Sequence, residues 1–136
     1  MRRPTIPLLA AGLLLAAGCG KDEPAAATVK GAVTFQGRPL AGGLVVFAPD
    51  RDKGNAGKPV SATVGPDGWY HLTADGSSQV VAGWYRVAIA EAPGWAADSH
   101  GVRFPAALRR PDRAGLDREV LAGRENVFHF EIEVPE

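Results

Sequence analysis

The stretch Val127-Phe128-His129-Phe130-Glu131-Ile132-Glu133-Val134 decides how this chain folds. Phe128, Phe130, Ile132 and Val134 alternate with His129, Glu131 and Glu133. A period of two belongs to a β-strand, whose successive side chains point to opposite faces, so one face here is apolar and the other solvated. Upstream, residues 29–35 repeat the pattern, with Val29, Gly31, Val33 and Phe35 on one face and Lys30, Ala32 and Thr34 on the other. Gln36-Gly37-Arg38-Pro39 ends that strand with turn chemistry. Residues 44–49 are apolar on both faces, as in a central strand. A charged, glycine-containing loop follows at 50–58.

Residues 60–64 and 69–73 flank Gly65-Pro66-Asp67-Gly68, a strong tight-turn signal that predicts a hairpin. Tyr70 and Leu72 then face inward, and Trp69 and His71 outward. After a further turn at 75–78, residues 83–90 place Tyr85, Val87 and Ile89 on the core side, with Trp84, Arg86 and Ala88 opposite. Residues 116–121 read as a short strand ended by Gly123. Between them, residues 91–115 run for about 25 positions without a period, longer than a passive connection, and imply either a functional loop or an excursion. Seven short strands at this spacing predict an all-β fold, a seven-stranded antiparallel Greek-key sandwich. The expected core is Val29, Val33, Phe35, Val46, Tyr70, Leu72, Tyr85, Val87, Ile89, Val120, Phe128, Phe130 and Ile132.

The N-terminus is of another kind. Arg2 and Arg3 precede an apolar run at 8–17, and Ala16-Ala17-Gly18 lead into Cys19, the one cysteine in the chain. A positive start, a short apolar core and a small-residue exit describe an export signal. The run is well short of the roughly 18–20 apolar residues that span a bilayer. The expected organisation is a signal at 1–18, a flexible tether at 19–27 and a sandwich domain at 28–136. Removing residues 1–18 from 136 leaves 118, enough for one domain. The signal holds two of 15 basic residues and none of 15 acidic ones, so 13 face 15 and the remainder carries a formal −2. That balance argues against a nucleic-acid partner, whose binders concentrate basic charge. With 17 glycines and 11 prolines interleaved with Val, Phe, Tyr and Trp, the composition is turn-rich and β.

Two resemblances follow. The Ala16-Ala17-Gly18-Cys19 junction resembles the lipobox of bacterial lipoproteins, which implies acylation of Cys19, a membrane partner through that lipid, and a place in the cell envelope on the periplasmic or outer surface. Ala16 stands where leucine is usual. The order Val29-Lys-Gly31-Ala-Val33, Gly37-Arg-Pro39-Leu40, Val46-Phe47-x-Pro49, Asp67-Gly68-x-Tyr70-x-Leu72 and Gly83-x-Tyr85-x-Val87 resembles carboxypeptidase regulatory-like, transthyretin-like domains. The tail Phe104-Pro105-Ala106, Gly115-Leu116, Val120 and Gly123-x-x-Asn126-x-Phe128-x-Phe130 is similar to small lipoproteins of that group, with Leu108 where tyrosine is common and one extra residue between Gly123 and Asn126. These motifs are turn glycines and core aromatics, so they imply a fold more than a chemistry.

Catalytic signals are weak. His71 and His129 lie on outward strand faces without a second ligand at metal-like spacing, and no metal or cofactor is expected. Asp98-Ser99-His100 holds three triad residue types, but consecutive side chains diverge. Asp67 and Asp75 are too few for a calcium cage of about six oxygens. The paired histidines and Tyr-Arg-Gly-Ser motif of hydroxyisourate hydrolases have no counterpart, and Tyr70 and Tyr85 are assigned to the core rather than to an intradiol-type iron. Arg103, Arg109, Arg110 and Arg113, offset by Asp112, give the long loop a basic character. The candidate binding residues are Trp69, Trp84 and Trp95, whose flat rings suit sugar stacking or protein anchoring. The reading is a lipid-anchored, non-enzymatic sandwich with a structural or protein-binding role in the envelope. The alternative is a carbohydrate-binding module that engages polysaccharide through those tryptophans.

Overall fold

The computed structural model describes residues 26–74, 76–95 and 102–135. Cys19, the signal stretch, Asp75 and the Asp98-Ser99-His100 tripeptide lie outside the described residues. The strands are β1 (Ala26–Phe35), β2 (Arg38–Pro39), β3 (Leu44–Pro49), β4 (Val60–Thr63), β5 (Trp69–His71), β6 (Val80–Val81), β7 (Gly83–Ala90), β8 (Leu116–Val120), β9 (Glu125–Val127) and β10 (Phe130–Ile132). The 3-10 turns Arg51–Lys53 and Ala106–Arg109 lie in the loops. Among the described residues no helix is long and apolar enough to cross a membrane.

The architecture is an all-β sandwich of two sheets. β1 is the spine of the first. Its one edge carries β9 and β10 in parallel, and its other carries β6, β5 and β2 in antiparallel pairing. The second sheet is wholly antiparallel, in the order β4-β3-β7-β8. The turn at 65–68, closed by Gly65 N–H donating to the Trp69 carbonyl at 2.8 Å, was expected to make a hairpin. Instead β4 and β5 join different sheets and are bridged only at an isolated Ser61–Thr73 pair, so the turn hands the chain from one sheet to the other. The expected seven strands are therefore ten shorter segments, because β1 is long enough to be paired by several of them in turn.

Most pairings are antiparallel as expected, but residues 125–132 lie parallel to β1. Lys30 opposes Val127 and Val33 opposes Phe130 at the same offset, so β9 and β10 form one strand whose ladder breaks opposite Gly31 and Ala32. Side chains fill the break. Tyr70 Oη donates to the Phe128 carbonyl at 2.7 Å, and Ala32 N–H donates to His129 Nδ1 at 2.9 Å. Gly31 makes this possible, since a β-carbon there would stand 1.8 Å from the Phe128 oxygen.

The core lies between the sheets. Val29, Val33 and Phe35 of β1 face Phe47 of β3 and Tyr85, Val87 and Ile89 of β7, all buried. Phe47 sits at the centre, with ring centroids 5.8 Å from Tyr85, 6.1 Å from Phe128 and 6.4 Å from Tyr70. Two expectations need correction. Val46 was expected inward, but Val45 and Phe47 are the buried residues of β3 and Val46 is half-buried. A run apolar on both faces carries no period to choose between them, and the β3–β7 register chooses instead. Ala88 points away from Tyr85, Val87 and Ile89 as expected, and on that outer face it is buried directly opposite Val46. The tether was expected to reach residue 27, but Ala26 and Ala27 already pair with Val81 and Val80 in the sheet.

The described parts of the long segment after β7 fold back onto the core. Phe104 is buried, Trp95 meets Phe35 edge-on at 4.8 Å, and Arg109 grips both carboxylate oxygens of Glu91. Buried Asn126 closes the turn before β9. Its Oδ1 accepts from Leu121 N–H at 2.9 Å, while its Nδ2 donates to the Leu121 carbonyl at 3.0 Å and to the Thr28 carbonyl at 3.3 Å. The turn is thereby tied to β1.

Candidate functional site

The second sheet ends at β8 and the first ends at β9–β10. Both edges fall on one side of the sandwich, and between them lies a groove of about 340 Å³. Its apolar part is Phe130, Leu108 and Leu116, with the Ala106–Arg109 turn closing one end. Arg118, His129, Glu131 and Glu133 supply the polar part.

Alternation explains what each strand offers here. Phe128 N–H bonds to the Lys30 carbonyl and the Ile132 carbonyl accepts from Gln36 N–H, both at 2.9 Å. Even-numbered residues of this strand thus spend their backbone groups on β1. In an extended strand the N–H and C=O of the next residue point the opposite way, so those of His129, Glu131 and Glu133 face the open edge. No described residue bonds to them. Across the groove Arg118 is already engaged. Its guanidinium lies over the Phe130 ring, 4.9 Å from centroid to Cζ, and donates to the Asp117 carbonyl at 2.8 Å.

His129 joins this groove to the outer face of the first sheet. Trp69 and His129 flank Ala32 from the two sides, and their rings meet edge-on at 5.3 Å above it. With Nδ1 accepting from Ala32, the imidazole carries its proton on Nε2, leaving a donor directed away from β1. Trp69 remains 37% exposed.

The three expected tryptophans are not one patch. Trp84 is half-buried on the second sheet beneath Lys53, whose Nζ stands 3.8 Å from its ring centroid. Trp95 packs against Phe35 and Phe104, so its ring belongs to the margin of the core. Only Trp69 of the three stays open beside the groove. His71 and His129 sit on strands flanking opposite edges of β1. Asp67 Oδ1 accepts from Trp69 N–H at 3.0 Å, the turn role expected of it. Two of the loop arginines are engaged as well, Arg109 with Glu91 and Arg110 with Asp112 at 3.4 Å. Among the described residues no group of three or more His, Cys, Asp or Glu side chains is placed to hold a metal ion.

Tyr70 and Glu91 are among the groups that depart from their ordinary behaviour for structural reasons. Burial pushes the Tyr70 phenol up, which keeps its proton available for the Phe128 carbonyl. The hydrogen bond from Arg109 holds the Glu91 carboxyl below its usual range. Sequence reasoning had the faces of His129, Glu131 and Glu133 right but missed Arg118 and the groove. No local signal encodes a cleft assembled from residues near 106, 118 and 131.

The geometry defines a class, an all-β sandwich with an open seam on one side. No family model matches the chain, and no curated protein does. Among solved structures the Bacillus anthracis TIE protein is similar, with a TM-score of 0.50 and 16% identity over 80% of this chain. The chain spans 16% of that protein's length. At this identity the likeness bears on the fold alone.

Proposed function

We propose that this chain is a non-enzymatic β-sandwich of the cell envelope, held to a membrane by lipid on Cys19, and that it binds a protein partner at the seam between its sheets. The anchor rests on the Arg2-Arg3 start, the apolar run and the Ala16-Ala17-Gly18-Cys19 junction. Several acyl chains, at about 0.8 kcal/mol per buried CH₂, hold a protein stably where one does so only marginally. The carboxypeptidase regulatory-like resemblance belongs to the same proposal and supports a scaffold role. The groove carries the binding half, because it places an apolar floor next to strand groups that the fold leaves unspent. Mass spectrometry of the membrane fraction from expressing bacteria tests the anchor. A diacyl or triacyl mass on a peptide beginning at Cys19 is expected, with Cys19→Ser releasing the protein. A soluble wild-type chain with a free thiol overturns it.

A carbohydrate reading has one specific observation in its favour, the exposed Trp69 ring beside the His129 donor. Because Lys53 covers the Trp84 ring, Trp69 is the residue that tests it. Loss of polysaccharide retention in Trp69→Ala, with an unchanged melting temperature, supports it. Equal retention of the variant and wild type on every glycan removes it.

A further inference from the structure

We propose that the open edge formed by His129, Glu131 and Glu133 accepts an extended polypeptide segment as an added strand, one in which basic and apolar residues alternate. This rests on the protein-binding half of the function proposed above and names the chemistry of the partner.

The backbone supplies the first reason. Three consecutive odd-numbered residues point N–H and C=O away from β1, and no described residue takes them up. Such an edge is a template for strand addition, in which main-chain bonds give affinity and side-chain pockets give selectivity. The opposite wall does not compete, since Arg118 is folded onto its neighbouring carbonyl and the Phe130 ring.

Side-chain alternation supplies the second. An added strand shares the pleat of its neighbour, so every second residue of the segment falls on the outer face beside Glu131 and Glu133. Both glutamates are exposed and make no ion pair among the described residues, whereas Glu125 on the same strand is paired with Lys30 at 3.0 Å. Opposite charges directly across a strand pair stabilise it, and like charges weaken it. The residues in between point into the groove, toward Phe130, Leu108 and Leu116. The occupant is therefore basic on one face and apolar on the other. A second copy of this chain fits poorly, because pairing the edge with itself sets glutamates beside glutamates.

The test uses the full chain in detergent micelles and three synthetic heptapeptides: alternating Lys and Val, alternating Glu and Val, and the Lys–Val peptide N-methylated at every second residue. N-methylation at alternate residues removes the donors along one edge of the extended peptide while leaving its charges. The Lys–Val peptide is expected to bind at least tenfold more tightly than either other peptide in calorimetric titration. Hydrogen exchange at Glu131 and Glu133 should slow at least tenfold. Glu131→Pro removes an N–H that bonds nothing in the fold, as edge prolines do, and should weaken binding tenfold or more with little change in melting temperature. Should that variant unfold, Glu131→Lys with Glu133→Lys carries the test and should reverse the preference toward the Glu–Val peptide. Equal binding of the methylated and unmethylated peptides overturns strand addition, as does protection confined to another strand. Concentration-dependent dimers with the same edge protected in the absence of peptide also overturn it, in favour of self-pairing. If all three peptides fail while cross-linking still joins the seam to an envelope protein, strand addition falls and the broader protein-binding reading stands.

Discussion

Gly31 and Gly37 lie six positions apart and tolerate a methyl group very differently. At Gly31 a β-carbon would stand 1.8 Å from the Phe128 oxygen and 3.0 Å from Tyr70 Oη, so two strands must move to admit it. At Gly37 the space is open and only the positive φ of +78° opposes a side chain. Gly31→Ala should therefore cost roughly 3 kcal/mol, the upper end of overpacking penalties. Gly37→Ala should cost about 1 kcal/mol, the penalty of a left-handed backbone. Urea unfolding of the two variants measures the contrast, and similar costs would mean that the ladder break is not tightly packed. The same site tests the side-chain substitution of ladder bonds. Tyr70→Phe keeps the ring against Phe47 and Phe130 but withdraws the donor from the part-buried Phe128 carbonyl. A loss of about 1–2 kcal/mol is expected on the same assay.

At the scale of elements, residues 91–95 and 102–109 together behave as a clip. Its ends are joined by the Glu91–Arg109 pair, and between them Trp95 and Phe104 cover the Phe35 end of the core. Because the folded carboxyl titrates below its ordinary value, the clip's contribution is full above the unfolded carboxyl's range. It is lost as pH falls through the folded value. Acidification should therefore loosen this segment before the sheets melt. In a background with Trp69 and Trp84 replaced by Phe, the emission of Trp95 should shift to the red on the acid side. In Glu91→Gln the shift should be present at neutral pH, with the acid step gone. An acid step of equal size in that variant would assign the transition to other carboxylates.

The whole molecule separates what the sequence spells from what it leaves to assembly. Alternation in 127–134 and 29–35 gave the faces of both strands correctly, because one side of each is solvated and the period is visible. It could not give their parallel pairing, since a period fixes which way side chains point and is silent about the neighbour. Nor could it choose between Val46 and Phe47 on a strand apolar throughout, or place Trp95, which stands in a segment with no period. The groove was illegible for the same reason, being a product of three distant segments. What was legible is the single core, and Phe47 tests whether it is single. Its ring meets Tyr70, Phe128 and Phe130 from the first sheet and Tyr85 from the second. Truncation removes contacts to both layers at once and leaves a cavity, for a cost of about 3–5 kcal/mol. In a domain of this size that lowers the melting temperature by on the order of 20 °C. If the sheets share one core, Phe47→Ala should melt in one transition, with far-UV and near-UV circular dichroism falling at the same midpoint. If instead the near-UV signal is lost first and the far-UV signal persists to the wild-type midpoint, the two sheets are stable separately and the core is not one.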